Sequence, residues 1–72
     1  MKVKDIIKVT EDEVMVMDEA KVFAPIAKYT DNEESIAINY DRNAVLNMTV
    51  KGMQISDSSL ILTVNSLEEV AG

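Results

Sequence analysis

The chain has 72 residues, 47% of them hydrophobic and 28% charged, and thirteen Asp and Glu against seven Lys and Arg leave a net charge of −6. That apolar share argues against intrinsic disorder, and the length allows one small domain. Cys, His and Trp are absent, which removes disulfide frameworks, Cys or His zinc sites, thiol nucleophiles and every triad built on an imidazole base.

Valine (9) and isoleucine (7) outnumber leucine (4), and β-branched side chains favour pleated sheet over helix. Val3, Ile6 and Ile7 fall at i, i+3 and i+4. This spacing favours a short N-terminal helix, with a strand through Val3, Asp5, Ile7 and Val9 as the alternative. Thr10 to Glu13 is a polar break. Val14-Met15-Val16-Met17 is apolar on both alternating faces, the pattern of a central strand covered on both sides. Asp18-Glu19 ends it. Lys21 to Ile26 reads as a second strand, confined to an edge or a bulge because Pro25 lacks an amide donor.

Asp31 to Ser35 is polar throughout and reads as a hairpin tip or a loop. Ile36, Ile38 and Tyr40 then alternate as a half-buried strand, followed by the turn cluster Asp41-Arg42-Asn43. Leu46, Met48 and Val50 alternate likewise. After Gly52 the parity flips to Met53 and Ile55, which predicts a bulge or a break. Ser56 to Ser59 is a turn. Leu60, Leu62 and Val64 alternate with Ile61 and Thr63 in the clearest strand of the chain, an inner one or one covered by another chain, since it is uncharged and aggregation-prone if left unpaired. Residues 66–72 read as a frayed tail. The expected architecture is a single domain over residues 1–72, mainly β (α+β). It is a small antiparallel sheet or partly open barrel with a short N-terminal helix.

Chemistry-bearing patterns are few. Carboxylate pairs fall in turn-like clusters open to solvent, and so short a chain leaves little room for a substrate cleft, so no enzyme activity is expected. Asp31 to Ser35 offers oxygens for a calcium loop, but Ile36 stands where the glycine belongs. Gly52 and Gly72 are the only glycines and are far apart, which excludes a phosphate cradle. Neither a metal nor a cofactor is expected. The longest apolar run is Val14 to Met17, and no signal-type apolar stretch follows Met1 to Asp5. A cytoplasmic address without membrane association is therefore expected. The acidic balance disfavours direct nucleic-acid binding.

Charge is uneven: residues 1–28 sum to −1 and residues 29–72 to −5. Acidic clusters occur at Glu11-Asp12-Glu13, Asp18-Glu19, Asp31 with Glu33-Glu34, and Glu68-Glu69. They read either as a solvated surface or as an acidic face steered towards a basic partner. Tyr40-Asp41-Arg42 is either a strand end with a local ion pair or an interface anchor, tyrosine and arginine being the common anchoring types. The interior methionines suit a core or a contact surface. For a self-associating chain the expected contacts are Met15, Met17, Ile61 and Thr63, from the doubly apolar strand and the uncharged final strand.

Two stretches carry a likeness to known proteins. Met1-Lys2-Val3-Lys4-Asp5-Ile6-Ile7-Lys8-Val9, and Val45 to Val64 with its polar turn before Leu60-Ile61-Leu62-Thr63-Val64, resemble the opening and final hairpin of small uncharacterised proteins encoded by phages and prophages of Gram-positive bacteria. The two stretches together cover about 30 residues. Residues Glu19 to Asn43 depart from that pattern, and neither matching stretch is a functional motif, so no site carries over. The resemblance implies an accessory protein inside a bacterial cell, often an inhibitor or sequesterer of a host factor.

The leading expectation is a non-catalytic acidic module that binds a protein partner through Glu33, Glu34, Tyr40, Asp41 and Arg42. The alternatives are a homo-oligomeric structural or assembly protein, and a small-ligand sequesterer with an interface pocket using Tyr29, Tyr40 and Arg42.

Overall fold

The computed structural model describes residues 1–31 and 33–67. The N-terminal helix is α1, Val3–Val9. Asp5 holds its entry by accepting the Lys2 amide at 3.0 Å. Asp5 in the first turn and Lys8 in the last also suit the helix dipole. Val3 and Ile6 turn inward.

The elements that follow are β1 (Glu13–Asp18), a 3₁₀ turn (Glu19–Lys21), β2 (Ala24–Thr30), β3 (Glu33–Ile36), α2 (Arg42–Leu46), β4 (Gly52–Ser56) and β5 (Ser59–Val64). The strands form one open sheet in the order β3-β2-β1-β5-β4. The protein is thus mainly β with a short N-terminal helix. The sheet is mixed rather than wholly antiparallel, because β1 and β5 run parallel while the other three pairings are antiparallel.

Proline acts on β2 as a bulge rather than as an edge. Val16 pairs with Ala27 but Met17 pairs with Pro25, so Ile26 is the extra residue. The ladder is interrupted where the missing amide would otherwise be needed. Ile26 is buried, and its carbonyl accepts the Ala37 amide at 2.7 Å, which holds the residue after β3 against β2.

Several sequence expectations change here. The strand expected through Ile36, Ile38 and Tyr40 stops at Ile36: the Tyr40 amide bonds back to Ala37 in a turn, and Ile38 lies almost wholly exposed. The strand expected through Leu46, Met48 and Val50 is instead α2 and its exit. Asp41 caps that helix by accepting the Asn43 and Ala44 amides at 3.1 and 3.3 Å. Met48 and Val50 then bond through their backbones to Val3 and Met1. The break at Gly52 is the start of β4. Ser66, placed by its sequence in a frayed tail, is buried against Asp18, while residues 68–72 of that tail lie outside the described residues.

One core cluster joins α1, α2 and one face of the sheet. It contains Val3, Ile6, Val14, Val16, Ile26, Ala27, Tyr29, Val45, Met48, Leu62 and Val64. Both helices therefore cover the same face. Met15, Met17, Ile61 and Thr63 alternate onto the other face and are half-buried, so β1 is central but not covered on both sides. Turns are built almost without glycine. Val22, Phe23, Asp31 and Asp57 all take positive φ, and Val22 (φ 56°) and Phe23 (φ 57°) do so in succession between the 3₁₀ turn and β2. Each costs about 1–2 kcal/mol relative to a right-handed conformation.

Candidate functional site

The register across three strands builds the floor of the main cleft. Val14 of β1 lies opposite Tyr29 of β2, which lies opposite Glu34 of β3. Alternation puts this row on the helix-covered face, at the end of β1 where α1 passes into the Thr10–Asp12 link. Ile7 of α1 completes the apolar side. The rim comes from two directions. The α1–β1 link contributes Glu11 and Asp12, and the β2–β3 hairpin contributes Asp31, Glu33 and Glu34. Together these residues, with Thr10 and Thr30, enclose a cleft of about 750 Å³.

Two acidic clusters more than fifteen residues apart in the chain thus converge on one opening. Glu34 is already paired, its Oε2 3.1 Å from Arg42 Nε. Glu11, Asp12, Asp31 and Glu33 have no cationic partner among the described residues. No group of three or more carboxylates among the described residues closes around one point tightly enough to hold a metal ion. The negative charge is spread along a rim, an arrangement for an extended organic cation rather than for a point ion.

Tyr29 is the unusual member of this set. It is 8% exposed, it contributes to the lining of the cleft, and its hydroxyl oxygen is buried with no hydrogen-bond partner among the described residues. Burial, then the nearby charge of Glu34, pushes its phenol up to about 12, against an opposing pull from Arg42. The group stays protonated at neutral pH and can both donate and accept.

The nominated interaction residues do not form a single surface. Glu33 and Glu34 stand on the cleft. Arg42 is drawn to Glu34 as its ion-pair partner. Asp41 is engaged in capping α2. Tyr40 is tied to the opposite end of β1, donating its hydroxyl to Asp18 Oδ2 at 2.9 Å with the Lys21 ammonium 4.9 Å from its ring centre. Tyr40 and Asp41 therefore hold the fold. The nominated self-association residues do share a surface: Met15 lies beside Ile61 and Met17 beside Thr63 on the open sheet face. That face is flanked by Lys28, whose Nζ lies 3.5 Å from Glu13.

Asp18 escapes a reading that takes acidic clusters as solvated. It is fully buried and accepts four hydrogen bonds: from the Ala20 and Ser66 amides through Oδ1 (3.0 and 3.1 Å), and from the Ser66 and Tyr40 hydroxyls through Oδ2 (2.6 and 2.9 Å). Burial alone would raise its pKa, but the bonds from Ser66, Tyr40 and Ala20 outweigh it and hold the carboxyl below the ordinary 3.8. Its sequence signal was parity, since it continues the inward series Val14, Val16.

No protein-family model, curated protein or solved structure matches the chain. Among the described residues, no helix is long and apolar enough to cross a membrane.

Proposed function

We propose that this domain is a non-catalytic protein-binding module that uses its acidic cleft to engage a basic segment of a partner. The observation that carries the reading is the convergence of Glu11, Asp12, Asp31, Glu33 and Glu34 around one opening with an apolar floor. A rim of like charge focuses its field into the cleft and speeds encounter with a cation, and an apolar floor adds contact area once docked. The phage-type resemblance of both chain ends supports a setting in the cytoplasm of a Gram-positive bacterium, where the module acts as an inhibitor of a host factor by covering that factor's basic site.

The test is a comparison of the parent with the double variant Glu11→Lys, Glu33→Lys, neither side chain having an ion-pair or hydrogen-bond partner among the described residues. Capture of host proteins is followed by association kinetics at low and high salt. Loss of the captured partner, with association slowed by about tenfold or more and a flattened salt dependence, is the expected result. Equal association rates for the two proteins overturn it.

A second reading has its own support. The uncharged row of Met15, Met17, Ile61 and Thr63 on the open sheet face suits a second copy of the chain, which makes the module a homo-oligomeric assembly protein. Light scattering at tens of micromolar is then expected to give at least twice the chain mass, and a strict monomer removes this reading.

A further inference from the structure

We infer that β4 is a self-pairing edge: it joins antiparallel to β4 of a second copy, Gly52 opposite Ser56 and Met53 opposite Ile55, and so fuses two five-stranded sheets into one. This contact runs along the rim of the sheet. It is separate from the open face of Met15, Met17, Ile61 and Thr63.

The two rims of the sheet are unlike. β3 and β4 are the outer strands, and among the described residues neither has a strand on its far side. β3 carries Glu33 and Glu34 in succession, and charge on an outer strand is a usual guard against pairing with another chain. β4 carries no charge and no proline. Its apolar side chains are also uncovered. Met53 lies opposite Leu62 and Ile55 opposite Leu60, which places both on the helix-covered side. The core cluster reaches Leu62 but stops short of them, leaving Met53 54% and Ile55 77% exposed. The two-residue turn Asp57-Ser58 makes Ser56 and Ser59 a hydrogen-bonded pair, so alternation directs the backbone groups of Met53 and Ile55 to the open rim.

The register names the occupant. Pairing the whole of β4 with itself antiparallel puts Gln54 on a two-fold axis. Met53 of each copy then meets Ile55 of the other, outward groups against outward groups, twice over. Lys51, just before β4, comes opposite Asp57, just after it, again twice. Opposite charges stand at both ends of the seam and apolar pairs lie within it. The segment from Lys51 to Asp57 is thus complementary to its own reverse, which a seat for a foreign strand does not require.

The experiment is sedimentation equilibrium of the full chain up to hundreds of micromolar, for the parent, Ile55→Lys, Ile61→Lys, Lys51→Glu and Asp57→Lys. Amide exchange of the parent is followed at low and high concentration. A seam of five residues a side is small, so the expected dimer is a weak one. The parent is expected to reach twice the chain mass, with the Met53 and Ile55 amides protected only at high concentration. Ile55→Lys is expected to stay monomeric and Ile61→Lys to dimerise as the parent does. Lys51→Glu and Asp57→Lys should each weaken self-association by about tenfold, because each sets like charges opposite each other at both ends. Mixed together they restore both opposite pairs and are expected to recover the parent's affinity as a heterodimer. A mixture no tighter than its components overturns the inference, as does assembly beyond two chains. A dimer lost in Ile61→Lys but kept in Ile55→Lys also overturns it and gives the contact to the open face. A monomeric parent whose Met53 and Ile55 exchange ignores concentration overturns it without recourse to any variant, and leaves the rim to a strand of another protein.

Discussion

Asp18→Ala is expected to cost about 3 kcal/mol of stability, whereas Asp18→Asn costs about 1 kcal/mol. Alanine strips the acceptor from four donors at once, and the Ser66 amide and hydroxyl are the worst affected because Ser66 is buried with it. Asparagine keeps most of the network. Its oxygen can remain on the Ala20 and Ser66 amides that now share Oδ1. Its amide then faces the Ser66 and Tyr40 hydroxyls, which can rotate to accept. A domain of this length has a total stability of about 4–10 kcal/mol, so the alanine variant approaches the threshold of folding. Urea denaturation of the two variants measures the difference. The same pair separates the pH behaviour. A carboxyl whose folded pKa is depressed below 3.8 adds stability that is present above that value and lost as pH falls through the folded pKa. The parent should therefore lose stability as it is acidified below about pH 4, and Asp18→Asn should lose less over that window.

Leu62→Ala is expected to destabilise by about 3 kcal/mol, a fall in Tm of more than about 10 °C for a domain of this size. Leu62 is fully buried on β5, beside Val16 on one side and Met53 on the other. It sits in the row where the parallel and antiparallel halves of the sheet meet beneath the helices. Truncation leaves a cavity that the central strands cannot close without disturbing both pairings. Ile61→Ala, one residue earlier but on the open face, should cost markedly less in a monomer. Chemical denaturation with an unchanged m value distinguishes lost packing from a change in the unfolded chain.

Much of this fold is legible in the sequence because it rests on local periodicity. The spacing of Val3, Ile6 and Ile7 and the alternation from Leu60 to Val64 each report one element, whereas the polar stretch Asp31 to Ser35 reads as a tip although Glu33 to Ser35 pair with β2 as part of β3. Pro25 even marks the bulge. The stretch from Leu46 to Val50 misleads because apolar alternation over a few residues fits both a strand and a short helix with its exit, and the deciding group is the Asp41 cap at the head of α2. Val22 and Phe23 hide their turn for a different reason: left-handed positions are read from glycine and asparagine, and neither is there. The candidate site was half legible. Its acidic clusters stand out as composition, but their meeting depends on β2 and β3 folding back beside the α1–β1 link, which no local pattern encodes. Asp18 and Tyr29 show the same limit, since the hydrogen-bond partners of one and the missing partner of the other are questions about distant residues.

The parallel pairing of β1 with β5 has a consequence for the newborn chain. Glu13 must find Ser59 and Asp18 must find Val64, so residues 19–58, more than half of the chain, lie between the two halves of its central ladder. Closing so long a loop delays folding relative to chains of local contacts. On the ribosome, β1 can pair with β2 early and then must wait until β5 has been synthesised. During that interval the Met15–Met17 strand is a bare edge of unpaired backbone, the kind of template on which nascent chains stick to one another. The strand whose Val14–Met17 run is apolar on both faces thus keeps an open edge until β5 is made.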